Sequence, residues 1–251
     1  MGIVADLVRS FYRARNFEVV IRPIRNARLE SDSEIILPNA DYAPWKSDAD
    51  FQSVYQSIRG NTLVDIYRCW ELWEGISTIA KSIPGDVLEV GVWQGGTGSI
   101  MAKRLQMLAP DRTIFLADTF EGVVKAGKND SKYVGGEHSD TSEALVQNLL
   151  GEKLGLRNFK ILKGIFPDQT GFGLENHTFS LVHIDVDVYQ SCKEIVEWIW
   201  PRLSVGAILF FDDYGFTNCD GVVRFINEQK SLSDRLIFHN LNGHAISVKL
   251  K

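Results

Sequence analysis

Little cysteine, no basic excess and no long apolar run characterise this chain, and each absence removes a class of function. Its 251 residues include 3 cysteines, Cys69, Cys192 and Cys219, scattered and never in a Cys-x-x-Cys pair. That pattern predicts reduced thiols and a cytoplasmic protein. A net charge of −5 argues against general nucleic-acid binding, which favours clustered Lys and Arg. No stretch reaches transmembrane length and no signal-peptide core is visible. Met1-Gly2 lacks the Ser or Thr of a myristoylation signal, because Asp6 stands in its place.

What remains is an ordinary globular composition, 45% hydrophobic and 24% charged, in a chain long enough to bury a sizeable α/β core. Residues 2–15 carry an amphipathic helical pattern, with Ile3, Val4, Leu7, Val8 and Phe11 on one side. Such a stripe packs against the domain or against a second subunit, so the arm is a candidate homo-oligomer contact. Phe17–Ile21 reads as a short strand, and Pro23, Pro38 and Pro44 punctuate the residues after it. The expected organisation is an N-terminal arm over 1–60 and a main domain over 61–251.

The main domain begins with a helical pattern from Thr62 to Ser82 and changes character at Pro84-Gly85. Asp86–Val90 is a short strand, Gly91-Val92-Trp93-Gln94-Gly95-Gly96-Thr97-Gly98 a glycine-rich turn, and Ser99–Leu108 a helix. Strand, glycine turn and helix open a nucleotide-binding parallel fold, in which backbone N–H groups meet the ligand. The glycine spacing departs from the dinucleotide pattern Gly-x-Gly-x-x-Gly and weakens a reading as an NAD-dependent oxidoreductase. An acidic residue two positions before the first glycine, Glu89, is typical of S-adenosylmethionine (SAM) enzymes. Asp118 ends the second strand, Thr113–Ala117, where ribose hydroxyls are bound.

Residues 119–141 form a long irregular stretch containing Tyr133 and His138, and loops of that length are commonly lids. His138 reads as an exposed loop residue, with contact to substrate as the alternative. Thr141–Leu154 is the next expected helix. Phe159–Leu162 is the third strand, with Lys163-Gly164 at its end beside an adenine site. Phe179–Ile184 is the fourth, with His183 as a satisfied core residue. Gly206–Phe211 is the fifth, and an Asn242-Gly243 turn joins Leu236–Phe238 to Ala245–Val248 as an antiparallel hairpin.

Two aspartate clusters end the fourth and fifth strands: His183-Ile184-Asp185-Val186-Asp187-Val188-Tyr189 and Phe210-Phe211-Asp212-Asp213-Tyr214. Between Asp185 and Asp212 there is room for one crossover helix and a parallel strand. Four carboxylates on one sheet edge need a cation if all are to stay ionised. Asp185, Asp212 and Asp213 offer hard oxygen donors, which suit Mg²⁺, or Mn²⁺ as a substitute, better than zinc. Asp187 is the candidate general base, sharing a face with Asp185 if the strand stays extended, or else capping the helix after it.

The segments GDVLEVGVWQGG, DTFEG, HIDVDVYQS and FFDDY resemble the macrocin O-methyltransferase (TylF) family, over Thr62 to Tyr214. The resemblance implies a class I methyltransferase fold: a seven-stranded, mostly parallel Rossmann-like sheet with a C-terminal antiparallel hairpin. It implies SAM- and Mg²⁺-dependent methylation of sugar hydroxyls, as on macrolide and aminocoumarin antibiotics, and hence a glycan, glycolipid or secondary-metabolite glycoside as acceptor. By the same resemblance Asp185, Asp212 and Asp213 match metal ligands and Asp187 the base. Glu89, Gly91 and Asp118 match SAM-contacting positions, and Thr62–Arg68 the segment that closes over the cofactor. Gly95, Thr97, Gly164 and Asp185 complete the expected cofactor site. Gln94 stands where the family usually has Arg, and Val186, Val188 and Gln190 replace its Gly, Leu and Glu. Methylation of a catechol-like phenol, or SAM binding without catalysis, are the competing readings.

Overall fold

The computed structural model describes residues 40–251 and, before them, only the isolated positions 8, 10, 11 and 36. The expected strand at Phe17–Ile21 and most of the expected helix at 2–15 lie outside the described residues. The chain divides into two units, Met1–Leu37 and Pro38–Lys251. Residues 40–60, which sequence assigns to the arm, therefore belong to the larger unit. Among them is helix α1 (Ala49–Ile58), which buries Phe51, Val54 and Ile58 and is capped by Asp48, whose carboxylate accepts from Phe51 N.

In order, the larger unit continues with α2 (Ile66–Ser82), β1 (Asp86–Val90), α3 (Gly96–Leu108), β2 (Ile114–Asp118) and α4 (Glu143–Gln147). Then come β3 (Phe159–Lys163), β4 (Phe179–Ile184), α5 (Tyr189–Ile199), β5 (Leu203–Phe211), α6 (Asp220–Gln229), β6 (Arg235–His239) and β7 (Ala245–Lys249). The seven strands form one sheet in the order β3-β2-β1-β4-β5-β7-β6. The first five run parallel, and β7 enters antiparallel between β5 and β6.

Period two sorts the strand residues into two cores. Val87, Ile114, Leu116, Leu181 and Phe210 face α1–α3, with Leu72, Trp73 and Ile76 of α2 buried among them. Leu88, Val90, Phe115, Val182, Ile184 and Leu209 face the other side, with Ile195 of α5 and Phe225 of α6. Each such large side chain contributes about 1.5–3 kcal/mol. Glu89 and His183 fall on the α2 side as register partners on β1 and β4, both fully buried.

The sheet reverses its winding direction between β1 and β4, and that is where an open α/β sheet binds ligands. Two chain segments depart from the expected pattern. The helix expected at 141–154 is α-helical only to Gln147; Asn148–Lys153 continues as wider π-type turns that still bury Leu149 and Leu150. Helix α2 starts at Ile66, not Thr62, because Asp65 caps it by accepting from Tyr67 N and Arg68 N.

Candidate active site

The glycine turn is shaped by close backbone approach. Gly91 has φ 89°, and a Cβ there would lie 1.7 Å from the Asp185 carbonyl oxygen, so β4 can end against the turn only if residue 91 has no side chain. Asp185 N donates to Val90 O at 2.9 Å and locks the same junction. Gly95 precedes α3 in the left-handed region, φ 87°. Gly96 N donates to Asn61 O at 3.0 Å, and its Cα faces Thr62, so the segment before α2 lies on the turn. Thr97 is buried in the first turn of α3.

Asp118 closes the opposite wall. Its Oδ2 accepts from Val92 N and Trp93 N at 2.6 and 2.8 Å, and its Oδ1 accepts from Phe120 N at 2.7 Å. Oδ1 keeps capacity for one more donor, the number a ribose hydroxyl requires. Gly164 N donates to Asp118 O at 2.9 Å and brings the end of β3 to the same edge. Glu89 lies deeper: Oε1 is 2.9 Å from His183 Nδ1, while Oε2, buried and without a partner, faces Gly98.

The carboxylates converge as the strand ends imply. Asp185, Asp212 and Asp213 offer oxygen atoms within 4.8 Å of one another. Burial, followed by the charges of its neighbours Asp212, Asp213 and Asp187, pushes the Asp185 carboxyl well above its usual range. Burial and the charges of Asp187 and Asp212 do the same to Asp213, which accepts from Asp187 N at 2.8 Å. Two crowded carboxylates in a set of hard oxygen donors are the environment a divalent cation fits.

Asp212 differs. Burial acts to raise its pKa, but the adjacent His183, the hydrogen-bonded His244 and the charge of Arg68 outweigh it and hold the carboxyl well below the usual range. His244 Nε2 is 3.0 Å from Oδ1, and the Arg68 guanidinium pairs with Oδ2. Burial opposes the His183 imidazolium, yet its hydrogen bonds to Asp212 and Glu89 raise it to about 9. His183, Asp212 and His244 form a second close cluster, and Asp187, Asp213 and Cys219 a third.

Asp187 reaches the cluster by another route than an extended strand. Strand β4 stops at Ile184, Val188 N bonds back to Val186 O at 2.7 Å, and Asp187 takes a left-handed φ of 64°. The shared-face argument for Asp185 and Asp187 therefore fails, although the two remain neighbours. Nor is Asp187 a helix cap: the residue before α5 is Val188, and the free Tyr189 N is instead bound by Asp130 of the 119–141 loop at 2.8 Å. The Asp187 carboxylate faces Cys219 Sγ at 3.7 Å, and burial raises its pKa against the lowering effect of the nearby Tyr133.

Sequence reasoning gave no individual role to five residues, although Tyr133 fell in the expected lid and Arg68 at the end of the Thr62–Arg68 segment. Arg68 and Glu71 sit in an apolar helical run, and nothing in their spacing marks them. Tyr133, Cys219 and His244 come from a loop, a short turn and a hairpin end. The only available signal was the Asn242-Gly243 turn, which fixes where His244 enters β7.

A sequence model of the macrocin-O-methyltransferase (TylF) family matches residues 40–243. The chain is 29% identical over 207 residues to 8-demethyl-8-(2,3-dimethoxy-alpha-L-rhamnosyl)-tetracenomycin-C 4'-O-methyltransferase of Streptomyces olivaceus, covering 78% of this chain and 76% of that one. It is 28% identical over 206 residues to mycinamicin III 3''-O-methyltransferase of Micromonospora griseorubida, covering 76% and 78%. The solved O-methyltransferase NovP superposes with a TM-score of 0.64 at 23% identity, over 76% of this chain and 83% of that one. That likeness shows the class I methyltransferase fold. With the family match spanning most of the sequence and every strand of that fold in place, the chain belongs to the macrocin-O-methyltransferase (TylF) family of O-methyltransferases.

Proposed function

We propose that this enzyme transfers the methyl group of SAM to a hydroxyl of a sugar, on a glycan, glycolipid or secondary-metabolite glycoside. The observation that carries the reading is the convergence of Asp185, Asp212, Asp213 and Asp187 beside the glycine turn. The relatives named for methylating sugar-bearing natural products support the acceptor class.

Asp185, Asp212 and Asp213 would hold Mg²⁺, or Mn²⁺ in its place. A cation there supplies the positive charge that makes an alcohol proton easier to remove. Asp187 then takes that proton. Thr62, Gly91, Gly95, Thr97, Asp118 and Gly164 would cradle the cofactor, with Glu89 supporting the turn from beneath. Residues 119–141 would cover the acceptor.

The test is methyl transfer from radiolabelled SAM to a panel of deoxysugar glycosides, their aglycones and a catechol. Label should enter a glycoside, stop with EDTA and return with Mg²⁺. Label in the catechol or aglycones alone, or transfer indifferent to EDTA, would refute the assignment.

A further inference from the structure

The proposed metal ligands are not equivalent, and the difference lies in what holds them. No hydrogen bond among the described residues reaches the Asp185 carboxylate. Asp213 is touched by one backbone N–H and one thiol. Asp212, by contrast, has His183 of the adjacent strand 3.5 Å from Oδ1 and is gripped from two elements distant in sequence. From α2, the buried Arg68 guanidinium pairs with Oδ2, its Nε is held by Asp65 Oδ2 at 2.9 Å, and its plane lies 4.7 Å from the Phe216 ring centre. From the start of β7, His244 Nε2 meets Oδ1 at 3.0 Å, while its Nδ1 is held by Glu71 Oε2 at 2.7 Å. Asn240 binds the other oxygen of Glu71. Each group that touches Asp212 thus has its own orientation fixed by a further carboxylate.

We infer that Arg68 and His244 are positioning residues, which set the rotamer of Asp212 so that it presents one oxygen to a cation shared with Asp185 and Asp213. The inference rests on the metal reading proposed above. Partners of this kind, one bond removed from the ion, typically alter metal affinity about 10–100-fold when lost.

The path also has a direction. Asp65, which holds Arg68, ends the Asn61–Asp65 segment that receives the Gly96 N–H of the glycine turn. A ligand that orders this segment also orders Arg68, and through it Asp212. Cofactor product and cation should therefore bind with positive coupling, and the coupling should be reciprocal.

The experiment is Mn²⁺ binding followed by electron paramagnetic resonance, with and without S-adenosylhomocysteine, on wild type, Arg68→Lys, His244→Ala and His244→Gln. The wild type should bind one Mn²⁺, several-fold tighter with S-adenosylhomocysteine. His244→Ala should bind it about 10–100-fold more weakly. His244→Gln, whose amide can still donate to Asp212, should recover most of the loss. Arg68→Lys keeps the charge but not the Asp65 link, and should lose the coupling. A thermal melt of each variant separates local from global effects. Wild-type affinity in His244→Ala, or intact coupling in Arg68→Lys, overturns the inference and leaves the metal reading standing. No Mn²⁺ binding by the wild type overturns both.

Discussion

Tyr133 lies beside Asp187, and burial together with the Asp187 charge makes that phenol far harder to ionise than usual. A hydroxyl beside a carboxylate is the arrangement an acceptor alcohol would also adopt, which gives the pair a kinetic meaning on the proposed reading. Asp187→Asn should lower kcat by about 10²–10⁴-fold while Mn²⁺ affinity stays within a few-fold of wild type. Asn tolerates the left-handed backbone at this position, so the melt should be unchanged. A mutant with undiminished kcat would point to a more acidic acceptor. The neighbouring Tyr133 hydroxyl lowers the Asp187 pKa, so Tyr133→Phe should raise it. Because a base must be ionised to act, the acid limb of the kcat–pH profile should move to higher pH in that variant, and a move to lower pH would exclude the pairing.

The elements around the site are joined by contacts that substitution can separate. A methyl group at Gly91 would collide with the Asp185 carbonyl in a backbone region that favours glycine. Gly91→Ala should cost at least about 3 kcal/mol in urea denaturation; a cost under about 1 kcal/mol would mean the β1–β4 junction is looser than its geometry. The 119–141 loop is tied down differently: Asp130 caps α5, Lys125 pairs with Asp168 and Glu194, and Ser191 donates to Val124 O. Asp130→Ala should cost about 1 kcal/mol, the usual worth of a cap, and should speed trypsin cleavage at Lys128 or Lys132. Unaltered cleavage would show that Asp130 does not restrain the loop. The strands were legible in sequence to within a residue or so at most ends, since short apolar runs bounded by Gly, Pro and Asp leave little choice. Strand ends also placed Asp185, Asp212 and Asp213 together. What periodicity could not supply was the turn at Asp187, where the chain abandons period two, or the partners of Asp212. Arg68 and His244 reach it from far along the chain, and no local pattern encodes such a contact.

Over the whole molecule, the buried carboxylates make stability depend on pH and, on the proposed metal reading, on a divalent cation as well. Asp185 and Asp213, raised above their usual range, hold protons in the fold that they release on unfolding, so stability falls as pH rises above about 4. His183, raised to about 9, adds to this: its contribution is whole below about pH 6.5 and is lost as pH rises through about 9. Asp212 has the opposite sign, but its loss comes only as pH falls below about 4. The Tm in EDTA should therefore decline from about pH 5 to about pH 9, and Mg²⁺ should raise Tm more at about pH 8 than at about pH 5, where protons compete for the ligands. Equal increments at both values would contradict a carboxylate site.

His244 lies 173 residues from Glu71 and 32 from Asp212, and it binds both. A ribosome delivers Glu71, His183 and Asp212 long before it delivers the hairpin that completes their network. Until then Asp212 has Arg68 and His183 beside it but not His244. Docking of the last strand is thus the step that brings the final side chain to Asp212.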